Sequence, residues 1–325
     1  MSGLIEPQTV FYKDYSGCLY CCDSMDVLRS MPEKSVHCCV TSPPYWRLRD
    51  YGVDGQIGLE KTPEEYVTKL VEVFRYVRLA LRDDGTLWLN LGDSYAAGSR
   101  AFNSFRRDRA HVAGPAVKTP PGYKTKDMVG IPWMVAFALR SDGWYLRSDI
   151  IWHKPNPMPE SVTDRPTNSH EYLFLLAKSE RYHYDHDAIK EPHSYNRWTN
   201  SRVSDASVLD ACYDGHAGRS SVLRGGRINP FPEGGRNKRS VWTVPTRPFP
   251  GAHFATFPPD LIRPCILAGC PEGGTVLDPF FGSGTTGLEA YRLGRRWIGI
   301  ELNSEYCAMA SRRIETETRQ FKLFA

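Results

Sequence analysis

No stretch of the 325-residue chain is apolar for long enough to cross a bilayer as a helix. The opening "MSGLIEPQTVFYKDYSG" also lacks the apolar core of a secretory leader, so neither export nor membrane insertion is expected. A charge excess is missing too. Lys and Arg total 41 against 37 acids, a formal charge of +4, so bulk charge does not announce a nucleic-acid partner and local clustering has to be examined. Nine cysteines, an odd number, lie in scattered positions without a disulfide framework. The adjacent pairs Cys21-Cys22 and Cys38-Cys39 sit in apolar runs and read as buried free thiols of a reducing compartment. Cys18-x-x-Cys21 has the spacing of half a zinc site, "SHEYLF" lacks the second histidine of a zinc helix, and "RYHYDHD" (His183, Asp185, His186, Asp187) reads as a polar strand end. No metal is expected.

What is present is alternation. "GCLYCC", "SVHCCV", "TLWLNLGD", "LRSDIIWHK", "EYLFLLAKS", "TVLD" and "RWIGIEL" read as strands, with amphipathic or apolar helical segments between most of them. Thr62-Pro63-Glu64-Glu65 opens one helix with a cap, a first-position proline and a capping box. That helix is expected to end at "RDDG", with Gly85 in the left-handed cap conformation. The pattern predicts an α/β fold with a mostly parallel sheet covered by helices.

Two segments break it. Residues 99–126 carry seven basic side chains, Arg106 and Arg107 among them, against the single acid Asp108. A second segment, from about 195 to 247, is rich in Arg, Gly, Ser and Asn and includes "RGGRINPFPEGGRNKRSVW" with Arg227, Arg236, Lys238 and Arg239. Such composition suits a solvated insertion and a nucleic-acid contact equally.

Two loops at strand ends carry the chemistry. After "SVHCCV" come Ser42, Pro43, Pro44, Tyr45 and Trp46. Two adjacent prolines have no N–H to donate and fix φ, so the strand stops on a rigid loop tipped with aromatic rings. Near the C-terminal end, Gly282-Ser283-Gly284-Thr285-Thr286-Gly287 spells G-x-G-x-x-G, and Glu301 follows at the distance of a ribose-binding acid. A nicotinamide dehydrogenase is one reading of that pattern. It requires several β-α units after the glycine loop, and only one strand and a terminal helix remain. The sheet must therefore be completed by strands earlier in the chain, a permuted nucleoside-binding fold. Small residues that let the backbone approach a ligand, Glu301 for ribose hydroxyls and Asp278 for an amine suit a nucleoside bearing an amino-acid tail, such as S-adenosylmethionine.

"TSPPYW" and "DPFFGSGTT", in this order around a basic insertion, resemble the two signature motifs of the beta-class DNA amino-methyltransferases, which methylate N4 of cytosine or N6 of adenine. "DIIWHKPNPMPESV", "DRPTNSHEYLFLLAKSERYHYD" and "RSVWTVPTRPFPGAHFATFPPDLIRPCI" are similar to other segments of that family. The resemblance implies a Rossmann-like S-adenosylmethionine-dependent methyltransferase fold with circularly permuted motif order. It divides the chain into 1–190 (catalytic, with the proline motif), 191–244 (target recognition) and 245–325 (catalytic, with the glycine motif).

By the same resemblance Asp23, Asp278, Phe280, Gly282, Ser283, Gly284, Thr285 and Glu301 hold the cofactor, and "HFATFPP" closes over it. Ser42 Oγ and the Pro43 carbonyl would accept hydrogen bonds from an exocyclic amine, with Pro44 fixing the loop. Tyr45 would stack on a base taken out of the helix and Trp46 would extend that surface. Arg106, Arg107, Arg227, Arg236, Lys238 and Arg239 are candidate DNA contacts. Ser rather than Asp at the head of the motif tilts the target toward cytosine N4, with adenine N6 as the alternative and RNA or protein amines as more distant ones. Pro264-Cys265 has no polar neighbour to lower the thiol pKa, which argues against cytosine-C5 chemistry. Implied partners are double-stranded DNA, a second copy of the chain and a cognate restriction endonuclease, in the cytoplasm, for a prokaryotic or phage-encoded protein.

Overall fold

The computed structural model describes residues 10–48, 50–96, 119–192, 235–246 and 257–324. Nine strands among them build one sheet: β1 (Val10–Lys13), β2 (Gly17–Cys21), β3 (Val36–Thr41), β4 (Leu81–Leu91), β5 (Tyr145–His153), β6 (His170–Ala177), β7 (Val241–Thr243), β8 (Thr275–Asp278) and β9 (Arg296–Glu301). Their order across the sheet is β1-β2-β9-β8-β3-β4-β6-β5-β7. The run from β2 to β4 is parallel throughout, as the strand-helix alternation predicts. β1 pairs antiparallel with β2, and β6 is antiparallel to both β4 and β5. The helices are α1 (Ser24–Ser30), α2 (Pro63–Ala80), α3 (Ile131–Ser141), α4 (Pro259–Gly269), α5 (Thr285–Arg292) and α6 (Ser304–Phe324).

Strand alternation divides the core into two layers. Leu87, Leu89 and Leu91 of β4 join Leu70, Phe74 and Val77 of α2 and Val135 and Leu139 of α3 in one cluster. The intervening Thr86 and Trp88 face Gly269 at the end of α4, where an added Cβ would lie 2.4 Å from the indole nitrogen of Trp88. The eight described cysteines are free thiols, and Cys38 and Cys39 of β3 are fully buried. No described cluster of His, Cys, Asp and Glu could hold a metal ion, and no described helix is long and apolar enough to cross a membrane.

The capping box forms as its spacing predicts: Thr62 Oγ1 accepts from the Glu65 amide at 3.2 Å, and the Glu65 carboxylate accepts from the Thr62 amide at 3.4 Å. The other end of α2 differs from expectation. The helix stops at Ala80, Leu81 is extended, and β4 starts there, so Gly85 lies inside a strand rather than in a left-handed cap. Pairing decides this: Leu81 is in register with Val36, and the Gly85 carbonyl accepts from the Lys178 amide just beyond β6.

The chain divides into two compact units, Met1–Asp185 with Ser240–Ala325, and His186–Arg239. β7 belongs to the first and extends the sheet beside β5. In the second, a 3₁₀ turn at Asp187–Ile189 precedes a bridge between Glu191 and Arg236.

One topological feature positions the site. β8 and β3 are neighbours, with Cys39 opposite Leu277, yet the chain leaves β3 toward β4 on one side and β8 toward β9 on the other. The crevice at the carboxyl ends of strands where the order reverses is where open α/β sheets bind ligands.

Candidate active site

The proline loop leaves the end of β3 and the glycine loop leaves the end of β8, so both open onto that crevice. Asp278, the last residue of β8, staples them together. One carboxylate oxygen accepts from Thr41 Oγ1 at the end of β3 (2.6 Å) and from the Phe280 amide (3.0 Å), and the other from Thr286 Oγ1 in α5 (2.7 Å). Burial raises its pKa from 3.8 to about 6, although all three hydrogen bonds favour the charged form. Asp278 is thus not among the residues that line the cavity, and its hydrogen bonds join the two loops.

Ten of the sequence-predicted residues do line one cavity: Asp23, Ser42, Pro43, Pro44, Tyr45, Phe280, Gly282, Ser283, Thr285 and Glu301. Asp23 is there because it caps α1, accepting from the Met25 amide at 2.7 Å. Glu301 ends β9, and its oxygens accept from the Gly282 amide (2.7 Å) and the Asn303 amide (2.8 Å). Burial raises its pKa above the usual carboxylate range. Gly282 has φ +52, which favours glycine, and a Cβ there would meet nothing within 4 Å. Gly284 has a different task. With φ +81 at the start of α5, its missing Cβ would lie 2.9 Å from Ala310 Cβ, so it lets α6 pack closely, and it is not among the residues that line the cavity. The third glycine of the motif, Gly287, makes room for the Phe281 ring, which stacks on Trp297 at 5.3 Å.

On the other wall, the Pro44 carbonyl accepts from Tyr66 Oη of α2 at 2.8 Å, anchoring the loop from beneath. No described donor reaches the Pro43 carbonyl. The Tyr45 ring lies against Gly92, whose absent Cβ would fall 2.6 Å from it. Burial raises the Tyr45 hydroxyl well above its ordinary pKa, helped by the neighbouring Glu171 carboxylate. Trp46 turns away from the cavity. It is 3% exposed, and its Nε1 donates to the Glu60 carbonyl at 3.1 Å, so it is a core residue and cannot extend a base-stacking surface.

Residues that motif reading missed also line the cavity. Tyr51 and Tyr306 make an edge contact at 6.2 Å, and Asn303 and Phe257 join them. Phe257 comes from the "HFATFPP" segment, whose residues 253–256 lie outside the described residues. Tyr51 and Tyr306 carried only the weak signal of aromatics near a motif. Of the basic candidates, Arg106, Arg107 and Arg227 lie outside the described residues. Arg236 and Arg239 sit in the second unit, both paired with Glu191 (3.0 and 2.6 Å), and Lys238 lies between them.

Residues 36–312 match the N6/N4 family of DNA methylases. The chain is 48% identical over 296 residues to the type II methyltransferase M.Cfr9I of Citrobacter freundii, covering 91% of this chain and 86% of that one. To M.SmaI of Serratia marcescens it is 46% identical over 293 residues, covering 90% and 88%. Among solved structures, the cytosine-N4-specific PvuII DNA methyltransferase shares the fold with a TM-score of 0.64 at 20% identity, covering 96% of this chain and 93% of that one. A Thermus thermophilus protein assigned as a DNA modification methylase, determined with S-adenosyl-L-methionine, gives 0.56 at 25% identity, covering 92% and 93%. This chain belongs to the N6/N4 DNA methylase family, and its fold is that of the S-adenosylmethionine-dependent DNA methyltransferases.

Proposed function

We propose that this protein methylates N4 of cytosine in duplex DNA, on a base turned out of the helix, with S-adenosylmethionine as methyl donor. The observation that carries the reading is the meeting of proline loop and glycine loop on one cavity, stapled by Asp278. The lining suits the donor. Glu301 and Asp23 offer carboxylates, Gly282 and Ser283 leave the backbone approachable, and Tyr51, Phe280 and Tyr306 offer aromatic faces beside a cationic ligand. When bound, S-adenosylmethionine supplies an electrophilic methyl group on a sulfonium.

The protein's part is to hold and activate the amine. Its lone pair is conjugated into the ring, so it is a poor nucleophile. Acceptors on both amino hydrogens, Ser42 Oγ and the Pro43 carbonyl, favour a more sp³-like nitrogen, and the prolines fix them in place without adding donors. Tyr45 gives the flipped base a flat surface. Alignment and electrostatics then do most of the catalytic work, with no covalent enzyme intermediate. Ser42 supports cytosine over adenine. Arg106, Arg107, Arg227, Arg236, Lys238 and Arg239 are assigned to phosphates and base edges, with target recognition in 191–244. Relatives named as type II methyltransferases support a cognate restriction endonuclease as partner, and a homodimer is the assembly proposed.

Nucleoside mass spectrometry of DNA incubated with the protein and S-adenosylmethionine tests the reading. N4-methylcytosine is expected. N6-methyladenine would overturn the base assignment and keep the site, whereas no methylated base on DNA of varied sequence would overturn the substrate.

A further inference from the structure

Transfer of a methyl group to an exocyclic amine leaves one proton too many on nitrogen. The N–C bond forms as the sulfonium S–C bond breaks, and an N–H bond must then break. Serine is a weak proton acceptor, so a site headed by Ser42 needs a stronger one behind it. Glu171 stands there, at the start of β6, in a segment that resembles the family's but for which the sequence suggested no catalytic role.

Its side chain is 15% exposed. One oxygen of its carboxylate accepts from Tyr45 Oη at 2.7 Å and from Asn90 Nδ2 at 3.1 Å, and the other is paired with Lys154 Nζ. Lys154, just past β5, also lies over the Trp152 ring at 4.4 Å. Ser42 Oγ in turn donates to Tyr45 Oη at 3.4 Å, a length that catalytic hydrogen bonds often have before substrate closes on them.

The direction of this chain matters more than its length. Tyr45 has one hydroxyl hydrogen, held by Glu171, so its oxygen is left to accept from Ser42. Ser42 has one hydrogen, spent on Tyr45, so its lone pairs face the cavity as acceptors. An ionised Glu171 thus makes Ser42 an acceptor.

We infer that Glu171 is a positioning residue that polarises Ser42 through the Tyr45 hydroxyl and receives the proton the methylated amine releases. The inference rests on the reading of this cavity as the amine-methylation site. The proton moves from nitrogen to Ser42 Oγ, the serine proton to Tyr45 Oη, and the tyrosine proton to Glu171. Among the described residues, Lys154 and Tyr45 are the titratable groups facing Glu171, with neutral Asn90 beside them. His153 and His170, paired in register, stand on the opposite face of the sheet by strand alternation.

Single-turnover methyl transfer to duplex DNA, followed across pH, tests the relay in the wild type, Tyr45→Phe and Glu171→Gln. Tyr45→Phe keeps the ring and removes only the hydroxyl. Both variants are expected to bind S-adenosylmethionine as the wild type does and to transfer methyl about tenfold or more slowly near neutral pH. The ratio of wild-type to Glu171→Gln rates should shrink toward one as the medium becomes acidic, because only the ionised carboxylate drives the chain. A purely structural role for Glu171 predicts a ratio independent of pH and would overturn the proposal. Wild-type rates in Tyr45→Phe at every pH would overturn it as well. Failure of the wild type to methylate DNA at all would instead strike the functional reading beneath it.

Discussion

Asp278 is buried outside the cavity lining and links the two loops that form its walls. Its carboxyl titrates near 6 in the folded protein against an ordinary 3.8. The folded state therefore holds the proton more tightly than the unfolded chain does. The associated stability is fully present below about pH 4 and is lost as pH rises through about 6, some 3 kcal/mol in all. Asp278→Asn, neutral throughout, should escape that loss. Urea unfolding should show the stability difference between variant and wild type moving by about this amount in favour of Asn from pH 4 to pH 7. A second contrast separates the cavity walls. Tyr45→Ala is expected to reduce turnover while leaving S-adenosylmethionine binding near normal, and Glu301→Ala to weaken that binding, both measurable by calorimetry beside methyl transfer. At this scale, chemistry that stays local was legible: Ser42, Tyr45 and Glu301 lie in or beside recognisable motifs. Glu171 was not, because 126 residues separate it from Tyr45 and only sheet pairing brings them together.

Among the elements, those defined by contiguous sequence followed their local signals. The box at Thr62 formed because its donors and acceptors are three residues apart. Removing it with Thr62→Ala should cost about 1 kcal/mol, seen as a small drop in thermal stability with unchanged methyl transfer. Gly299 in β9 obeys a tertiary rule instead. A Cβ there would lie 2.5 Å from the Phe281 ring, which is sandwiched against Trp297. Gly299→Ala should therefore destabilise the protein by about 1–3 kcal/mol, more than the exposed helix cap does. The same distinction explains the end of α2. Gly85 reads as a helix stop in isolation, yet pairing of Leu81 with Val36 draws the preceding residues into β4. β1 and β7 were illegible for a related reason. They are short, lie at the two edges of the sheet, and are strands only because β2 and β5 are there to pair with them.

At the scale of the whole molecule, the cavity draws its walls from residues 23 to 57 and 257 to 309, which the sheet order brings together. Ligand binding to such a site should stabilise the fold as a unit. S-adenosylmethionine at a hundred times its dissociation constant is expected to add about 2.7 kcal/mol, seen as a rise of several degrees in the unfolding midpoint. Glu301→Ala should need proportionally more ligand for the same rise, and absence of any rise in the wild type would contradict the assignment of the cavity. By itself the sequence determined the strand-helix alternation, the two signature loops and the family, since periodicity, turn chemistry and motif spacing are properties of neighbouring residues. Only the tertiary structure decided that Asp278 joins the two loops, that Trp46 points into the core, and that Glu171 stands behind Tyr45. Each of those follows from which way a side chain faces once distant strands have paired, and a linear pattern does not carry that information.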